Sequence, residues 1–182
     1  MARYLPGLQT RDRILESTTW LLARVGLDGT TLAAILDRAK VRSGSFYNLF
    51  ESKDEVILTV IGEAINAVDP HPDGEGKDTV RELVDAYIEF ITGQPTLAQI
   101  YLQTAVGGAL NDERLAHRFL SHHETRLTRL TDAIRREQKL TKRQARAEAE
   151  LLLAGLNGLA FHRMLDPDFD VAGRAEELLA RR

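Results

Sequence analysis

The segment from Thr10 to Val60 contains three short amphipathic stretches and the start of a fourth. In each stretch, apolar residues recur at the three- and four-residue spacing of a helix that buries one face. Only Lys40-Val41-Arg42 separates the second stretch from the third, so the helix after this turn must stand out from the body. This layout is that of a helix-turn-helix, whose second helix enters the major groove of DNA.

No strand pattern or internal repeat is present, so the sequence predicts an all-α chain of about nine helices. Residues 1–9 lack periodicity and are expected to form a mobile arm. The first helix is expected from Thr10, as N-cap, to Val25, with Gly26 as its left-handed C-terminal residue. Thr30 or Thr31 is expected to cap the second helix. The remaining helices are expected over 43–49, from a Ser52 cap, over 79–92, 96–106, 111–139, 141–165 and 171–180, with a Pro/Gly-rich loop over 69–78.

The predicted organisation has two parts. Residues 1–62 form a helix-turn-helix DNA-binding domain, and the helix from Ser52 bridges into the second part. Residues 63–182 form a helical domain for effector binding and dimerisation. The chain has 182 residues, enough for one large domain or two small ones.

Composition excludes several classes of protein. Hydrophobic residues make up 43% of the chain, which is too many for a disordered protein, and the absence of cysteine excludes disulfides and thiolate metal sites. No apolar run is long enough to span a membrane, and no signal peptide is evident, so a cytoplasmic protein is expected. The sequence has neither His-Glu-x-x-His nor Gly-x-Ser-x-Gly, so we expect no metal, no cofactor and no enzymatic activity.

The overall charge gives no support for nucleic-acid binding. The net charge is −3, and residues 1–60 carry 8 Lys/Arg against 7 Asp/Glu. Only a local basic face, doubled by dimerisation, would attract DNA. That face would consist of Arg11, Arg13, Lys40, Arg42 and Lys53.

The segment after the turn carries groups suited to DNA contact. Arg42, Ser43 and Ser45 place donors at the start of the third helix, and Gly44 permits close approach of the backbone to a groove. Asn48 can pair with an adenine edge, whereas Tyr47 and Lys53 can contact phosphates. Simpler interpretations remain open, because Tyr47 suits half-buried packing and Lys53 suits a solvated surface. Phe46 and Phe50 are expected in the core.

The same segment resembles the TetR family of one-component regulators. The resemblance rests on Arg11-Asp12-Arg13-Ile14-Leu15, on residues 26–32 (Gly-Leu-Asp-Gly-Thr-Thr-Leu) and on residues 39–54 (Ala-Lys-Val-Arg-Ser-Gly-Ser-Phe-Tyr-Asn-Leu-Phe-Glu-Ser-Lys-Asp). It covers about 45 residues, a quarter of the chain. Lys40 departs from the family's usual turn Gly and Arg42 from its usual capping Ser, so Ser43 takes over the cap or the cap is lost. Leu49 replaces a residue that is often polar.

The resemblance implies roles for individual residues. Thr30, Thr31, Tyr47 and Lys53 would hold backbone phosphates, and Lys40 would add positive charge beside the third helix. The residues in or beside the major groove would be Arg42, Ser43, Gly44, Ser45 and Asn48.

The stretch from Leu151 to Phe161 is apolar nearly all round, so it must be covered on every side. We expect an isologous homodimer with this helix at the seam. A central helix buried within a monomer is the alternative. The predicted interface consists of Leu151, Ala154, Gly155, Gly158, Leu159, His162 and Leu178.

A largely apolar effector is expected between the later helices, because small-ligand sites combine apolar walls with a few polar anchors. Taken individually, each candidate is better suited to ordinary core than to a ligand site. The candidates are Tyr87, Phe90, Ile91, Tyr101, Gln103, Thr104, Phe119, His123, Asn157 and Phe161.

Together these features predict a homodimeric transcriptional regulator, a repressor that a small-molecule effector releases from a pseudo-palindromic operator. The rival hypothesis is a helical ligand-binding or adaptor protein without DNA activity.

Overall fold

All regular structure in the computed structural model, which describes residues 5–67, 77–108 and 113–181, is helical. This confirms the predicted all-α class. The helices are α1 (Leu5–Gly29), α2 (Leu32–Ala39), α3 (Ser43–Tyr47), α4 (Lys53–Asn66), α5 (Val80–Gly93), α6 (Pro95–Gln103), a π-helical turn (Thr104–Gly108), α7 (Glu113–Gln138), α8 (Lys142–Leu165) and α9 (Val171–Ala180).

The first helix is longer than predicted at both ends. It begins at Leu5, so Thr10 is not its N-cap, and the prediction of a mobile arm is wrong for residues 5–9. Pro6 lies in the first turn, where a helix needs no backbone donor. At the other end, Gly26 breaks the helix at φ 68° and ψ −172°, and one more turn follows to Gly29. This backbone conformation is open essentially to glycine alone.

Local caps determine where several helices begin. Thr31, and not Thr30, caps α2, because its hydroxyl accepts from the Ala34 N–H at 3.2 Å. The predicted caps Ser52 of α4 and Thr141 of α8 are confirmed, since each hydroxyl accepts a backbone N–H from its first turn. Thr79 caps α5 in the same way. These contacts satisfy donors that the first turn of a helix leaves free.

The turn before α3 is strained. Lys40 adopts a left-handed conformation with φ 54°, where the family pattern has glycine. Arg42 is the N-cap of α3 and makes no side-chain capping bond, so the cap is lost and Ser43 does not replace it. Val41 bridges to Leu36 through a 3.1 Å backbone hydrogen bond, which closes the turn. α3 ends at Tyr47, earlier than the predicted Leu49.

We call α1–α3 with the first turn of α4 the head, and the remaining helices the body. The hydrophobic core runs through both, from Ile14, Ile35 and Phe46 in the head to Tyr87 and Leu153 in the body. α1 and α4 pack on α6, and α7 packs along α8. Because α4 contributes buried residues along its whole length, it joins the head rigidly to the body.

Some predictions fall outside the described residues. These are residues 1–4 of the arm, most of the 69–78 loop and the start of the seventh helix at Asn111 or Asp112. At the end of that loop, Asp78 is buried and accepts from the Arg129 guanidinium at 2.8 Å. None of the described helices combines the length and apolar character needed to cross a membrane.

We expect Lys40→Gly to raise the free energy of unfolding by about 1 kcal/mol, because glycine removes the steric cost of the left-handed conformation. The ion pair lost with Asp37 is exposed and contributes little. Urea denaturation measures the change. Lys139→Gly is the matched variant and should raise the free energy of unfolding for the same reason, since Lys139 also has φ 54°. Leu120→Gly, at an exposed position inside α7, should lower the free energy of unfolding by about 1 kcal/mol. Equal changes in the free energy of unfolding for Lys40→Gly and Leu120→Gly would show that Lys40 is not strained.

Candidate nucleic-acid interface

The recognition helix α3 is held by one buried side chain and exposes nearly all the others. Phe46 is fully buried, with its ring 5.8 Å from that of Phe50. The next residue, Tyr47, is 53% exposed and meets Phe46 edge to face at 5.4 Å. Phe46 and Phe50 therefore lie in the core, as predicted, and Tyr47 is available to a partner. Ser43, Gly44, Ser45 and Asn48 are also exposed.

Three predicted cations lie around the recognition helix. Lys40 and Arg42 are exposed in the turn before it, and Lys53 is half-buried at the first position of α4. Lys40 forms an exposed ion pair with Asp37 at 3.2 Å, so part of its charge is compensated. Lys53 makes no ion pair with any described carboxylate. These side chains place positive charge beside the exposed face of α3, although the head as a whole is not strongly basic.

Thr30 and Thr31 differ in their surroundings. Thr31 is exposed beside its own helix start. Thr30 is fully buried, and its hydroxyl donates to the Gly26 carbonyl at 2.7 Å. The predicted phosphate contact of Thr30 is therefore corrected, because a buried side chain already hydrogen-bonded to backbone has nothing to offer a phosphate. Its contribution is to close the broken end of α1.

Sequence reasoning missed an aromatic–cation cluster on the head. Trp20 is 37% exposed, and the guanidinium carbons of Arg38 and Arg24 lie over its ring, 3.6 Å and 4.8 Å from the ring centroid. Stacking of this kind holds both guanidiniums at the surface. The available signal was the four-residue spacing of Trp20 and Arg24 on the outer face of α1. Arg38 joins them only through the packing of α2 on α1.

Several predicted effector residues lie in the core of the body. Tyr87, Phe90, Ile91 and Tyr101 are buried, and the Tyr87 hydroxyl donates to Asn157 Oδ1 at 2.9 Å. Burial raises the pKa of the Tyr87 hydroxyl, which therefore stays protonated as a donor. Phe119 packs on Tyr101, with ring centroids 5.1 Å apart. These residues form an aromatic layer of the core.

Arg126 completes this layer and was missed by sequence reasoning. Its guanidinium donates to the Tyr101 hydroxyl at 2.8 Å and lies 4.6 Å from the Tyr87 ring centroid. Burial, with Arg126 as a second cause, lowers the pKa of His123 below its ordinary value. A charged residue on α7 gave no signal in the sequence, since only packing brings it against the two tyrosines.

The open cavity lies elsewhere, at the junction of head and body. It encloses about 720 Å³. Of the predicted effector residues, only Gln103, Thr104 and Phe161 line it. Tyr87, Phe90, Ile91 and Tyr101 do not line this cavity, because their side chains lie in the core of the body. The other lining residues are Leu22, Val25, Gly26, Leu27, Asp28, Lys53, Asp54, Ile57, Leu58, Ile100, Leu102, Val106 and Met164.

The predicted dimer seam is partly exposed and partly internal. Leu151 is 75% exposed, and Ala154, Gly158 and His162 are exposed along α8, so this helix is not buried in the monomer. Leu159 is half-buried. Gly155 faces Leu178 of the same chain, because a Cβ there would lie 2.7 Å from its Cδ2 atom. Gly155 and Leu178 therefore pack α9 on α8 within the chain.

We expect Thr30→Val to lower the free energy of unfolding by about 1 kcal/mol, because the Gly26 carbonyl loses its donor, and to leave duplex DNA affinity unchanged. Thermal denaturation and a gel shift measure the two effects. Thr18→Val is the matched control, since the buried Thr18 hydroxyl donates to Ile14 O at 2.8 Å. Thr31→Ala should instead lower both quantities. A folded Thr30→Val protein with weakened DNA binding would restore the predicted phosphate contact.

Comparison with known proteins places the head in a family. The pattern described as "Bacterial regulatory proteins, tetR family" matches residues 14–60. An uncharacterized HTH-type transcriptional regulator in the lacX 3' region of Lactococcus lactis is 36% identical over 62 residues, 34% of this chain and 32% of that protein. The HTH-type transcriptional repressor KstR of Mycobacterium tuberculosis is 29% identical over 65 residues, 36% of this chain and 30% of that protein. The chain thus matches about a third of the length of these relatives.

Solved structures extend the likeness to the whole fold. A transcriptional regulator of the TerR/AcrR family from Aquifex aeolicus has a TM-score of 0.74 at 23% identity, covering 93% of this chain and 95% of that one. A Saccharomonospora viridis protein in complex with choline has a TM-score of 0.73 at 18% identity, covering 93% of each chain. At such identities the likeness concerns the fold. The head therefore carries the sequence pattern of the TetR family over residues 14–60, and the whole chain shares the helical fold of these solved regulators.

Proposed function

We propose that the chain is a homodimeric DNA-binding transcriptional regulator, a repressor that a small-molecule effector releases from a pseudo-palindromic operator. The observation that carries the proposal is the exposure of Ser45, Tyr47 and Asn48 on a helix anchored by the buried Phe46. Polar side chains on a projecting helix after a tight turn are what a major-groove reader requires. The name of the Mycobacterium relative, a transcriptional repressor, agrees with this function.

The exposed groups divide into two kinds of contact. Tyr47, Thr31 and Lys53 lie at the edges of the recognition helix and suit phosphates, which position a protein on DNA. Asn48, Ser45 and their neighbours suit base edges, which carry the sequence information. Residues 1–62 would serve DNA binding, and residues 63–182 would serve effector binding and dimerisation.

Dimerisation would use the exposed stripe of α8. Leu151, Phe161 and Leu165 are 75%, 54% and 67% exposed, and the small residues Ala154 and Gly158 lie between them. A Cβ at Gly158 meets nothing within 4 Å in its own chain, which leaves room for a second helix. A contiguous apolar stripe of this kind marks an interaction surface. Two copies related by a two-fold axis would cover each other's stripe.

The dimer would present two recognition helices to successive major-groove faces, about 34–36 Å apart or a multiple of that. α4 carries Lys53 at its start and packs on the body along its length, so a shift of the body would move the head. An effector that favours a mismatched head spacing would release the DNA. Reciprocity then requires operator DNA to weaken effector binding by the same factor.

We expect Lys53→Ala to weaken binding to every duplex and to reduce the slope of log affinity against log salt by about 1.8, because the dimer loses one phosphate contact in each half-site. Asn48→Ala should instead broaden sequence preference at a single position of each half-site. Titration at several salt concentrations and selection from a random duplex library measure the two effects. The duplex upstream of the chain's own coding region is the first target for a gel shift.

Glu63→Ala is the matched control, an exposed residue of α4 far from its start. It should leave both DNA measurements unchanged. A wild-type protein that folds, dimerises and shows no affinity for any duplex would favour the rival ligand-binding or adaptor function. Unchanged DNA binding in both Lys53→Ala and Asn48→Ala would show that the contact surface is wrongly assigned.

We expect Leu151→Glu to convert the dimer to a monomer, because a carboxylate would be buried in the α8 seam without a partner. Sedimentation velocity at micromolar concentration measures the change. Leu120→Glu is the matched control, since Leu120 is 66% exposed on α7 and lies off the stripe. A wild-type protein that sediments only as a 20.4 kDa monomer would contradict the proposed dimer.

A further inference from the structure

The junction cavity is enclosed by both parts of the molecule. α1 contributes Leu22 and Val25, and α4 contributes Lys53 and Ile57, whereas α6, the π-helical turn and α8 close the other side. Its volume of about 720 Å³ falls within the range of roughly 300–1,000 Å³ that small-molecule sites occupy. An occupant would contact the head and the body at once.

The walls of the junction cavity are mainly apolar, and several of them are unusually exposed. Val25, Val106 and Met164 are 50%, 75% and 39% exposed. Side chains of this size gathered around one opening leave apolar surface in water that a ligand would cover. Behind them, Ile57 and Ile100 are buried and close the floor.

The charged groups at the cavity favour one kind of headgroup. Lys53 is the cation of the lining, half-buried and without an ion pair to any described carboxylate. Of the two lining carboxylates, Asp54 already accepts from the Arg114 guanidinium at 3.0 Å. Asp28 is exposed, so water solvates it. Lys53 is therefore the half-buried charge of the lining that has no ion-pair partner among the described residues, and an acidic group would pair with it.

We propose that the junction cavity binds an amphipathic molecule with an apolar body and one acidic headgroup, which forms an ion pair with Lys53. The apolar body lies against Val25, Val106 and Met164, and the headgroup lies at the start of α4. This site is separate from the aromatic layer of Tyr87 and Tyr101 deeper in the body.

The site has a regulatory consequence that rests on the proposed DNA-binding function. Lys53 is also the proposed phosphate contact. Its ammonium group cannot contact a DNA phosphate while it is paired with the ligand headgroup. The ligand and the duplex then compete for the same side chain. This competition requires no large movement of α4.

Binding is tested first without DNA, by titrating the full-length protein with the fluorescent amphiphile dansyl-undecanoic acid and with its uncharged methyl ester. We expect one acid bound per chain, with blue-shifted emission. Lys53→Met should weaken binding of the acid by about tenfold, which is the equivalent of one charge-assisted hydrogen bond. It should leave binding of the ester unchanged. Equal affinity of acid and ester, or no effect of Lys53→Met on the acid, overturns the headgroup assignment.

The position of the apolar body is tested by filling the cavity. Val25→Trp and Met164→Trp should each weaken binding of both probes by about tenfold, because the indole ring occupies the volume that the probe needs. Leu120→Trp, an exposed residue of α7 outside the cavity, is the matched control and should bind as the wild type does. Using two filling variants guards against misfolding of one. Unchanged probe affinity in both overturns the site.

The consequence for DNA is measured separately. The acid, and not the ester, should lower duplex affinity, and saturating duplex should lower acid affinity by the same factor. If the acid binds through Lys53 and duplex affinity does not change, the proposed competition with DNA is refuted, whereas the proposed ligand site is supported. If no duplex binds under any condition, the proposed function fails, and the probe titrations still decide the site.

Discussion

The buried side chain of Phe46 is the contact on which the recognition surface depends. A helix of five residues has too few internal hydrogen bonds to be stable alone, so α3 exists because the head holds it. Phe46 is fully buried against Phe50 and the surrounding core, and its neighbours on α3 consequently point into solvent. The loss of the Arg42 cap and the left-handed Lys40 are tolerated for the same reason, since tertiary packing offsets local strain.

The second constraint is the continuity of α4. Its capped start lies beside the recognition surface, and its buried face joins the core of the body. α4 thereby connects the packing around α6 to Lys53 through one uninterrupted helix. The junction cavity lies at this connection, because its walls include the start of α4 and the broken end of α1. Gly26 permits that break, and the Thr30 hydroxyl closes it.

Electrostatics alone would not have indicated a DNA-binding protein. The net charge is −3, and the cations of the head are scattered along the sequence. Folding groups a few of them around α3 and stacks Arg24 and Arg38 on Trp20. The positive surface is therefore local, and a dimer would double it.

The sequence by itself determined the helical class, most helix positions and the exposure of α3. Helix periodicity, capping residues and glycines at helix ends are local signals. The start of α1 was misjudged, since no local rule separates a frayed arm from a first turn that begins at Leu5. Tertiary structure alone decided which polar and aromatic side chains face each other. Thr30 and Thr31 are adjacent in the sequence, yet Thr30 is buried and Thr31 is exposed. Tyr87, Phe90 and Tyr101, which were predicted to contact an effector, lie in the core, and the open volume formed where α1, α4, α6 and α8 pack incompletely. A cavity is a property of packing between distant segments, and periodicity within one segment carries no information about it.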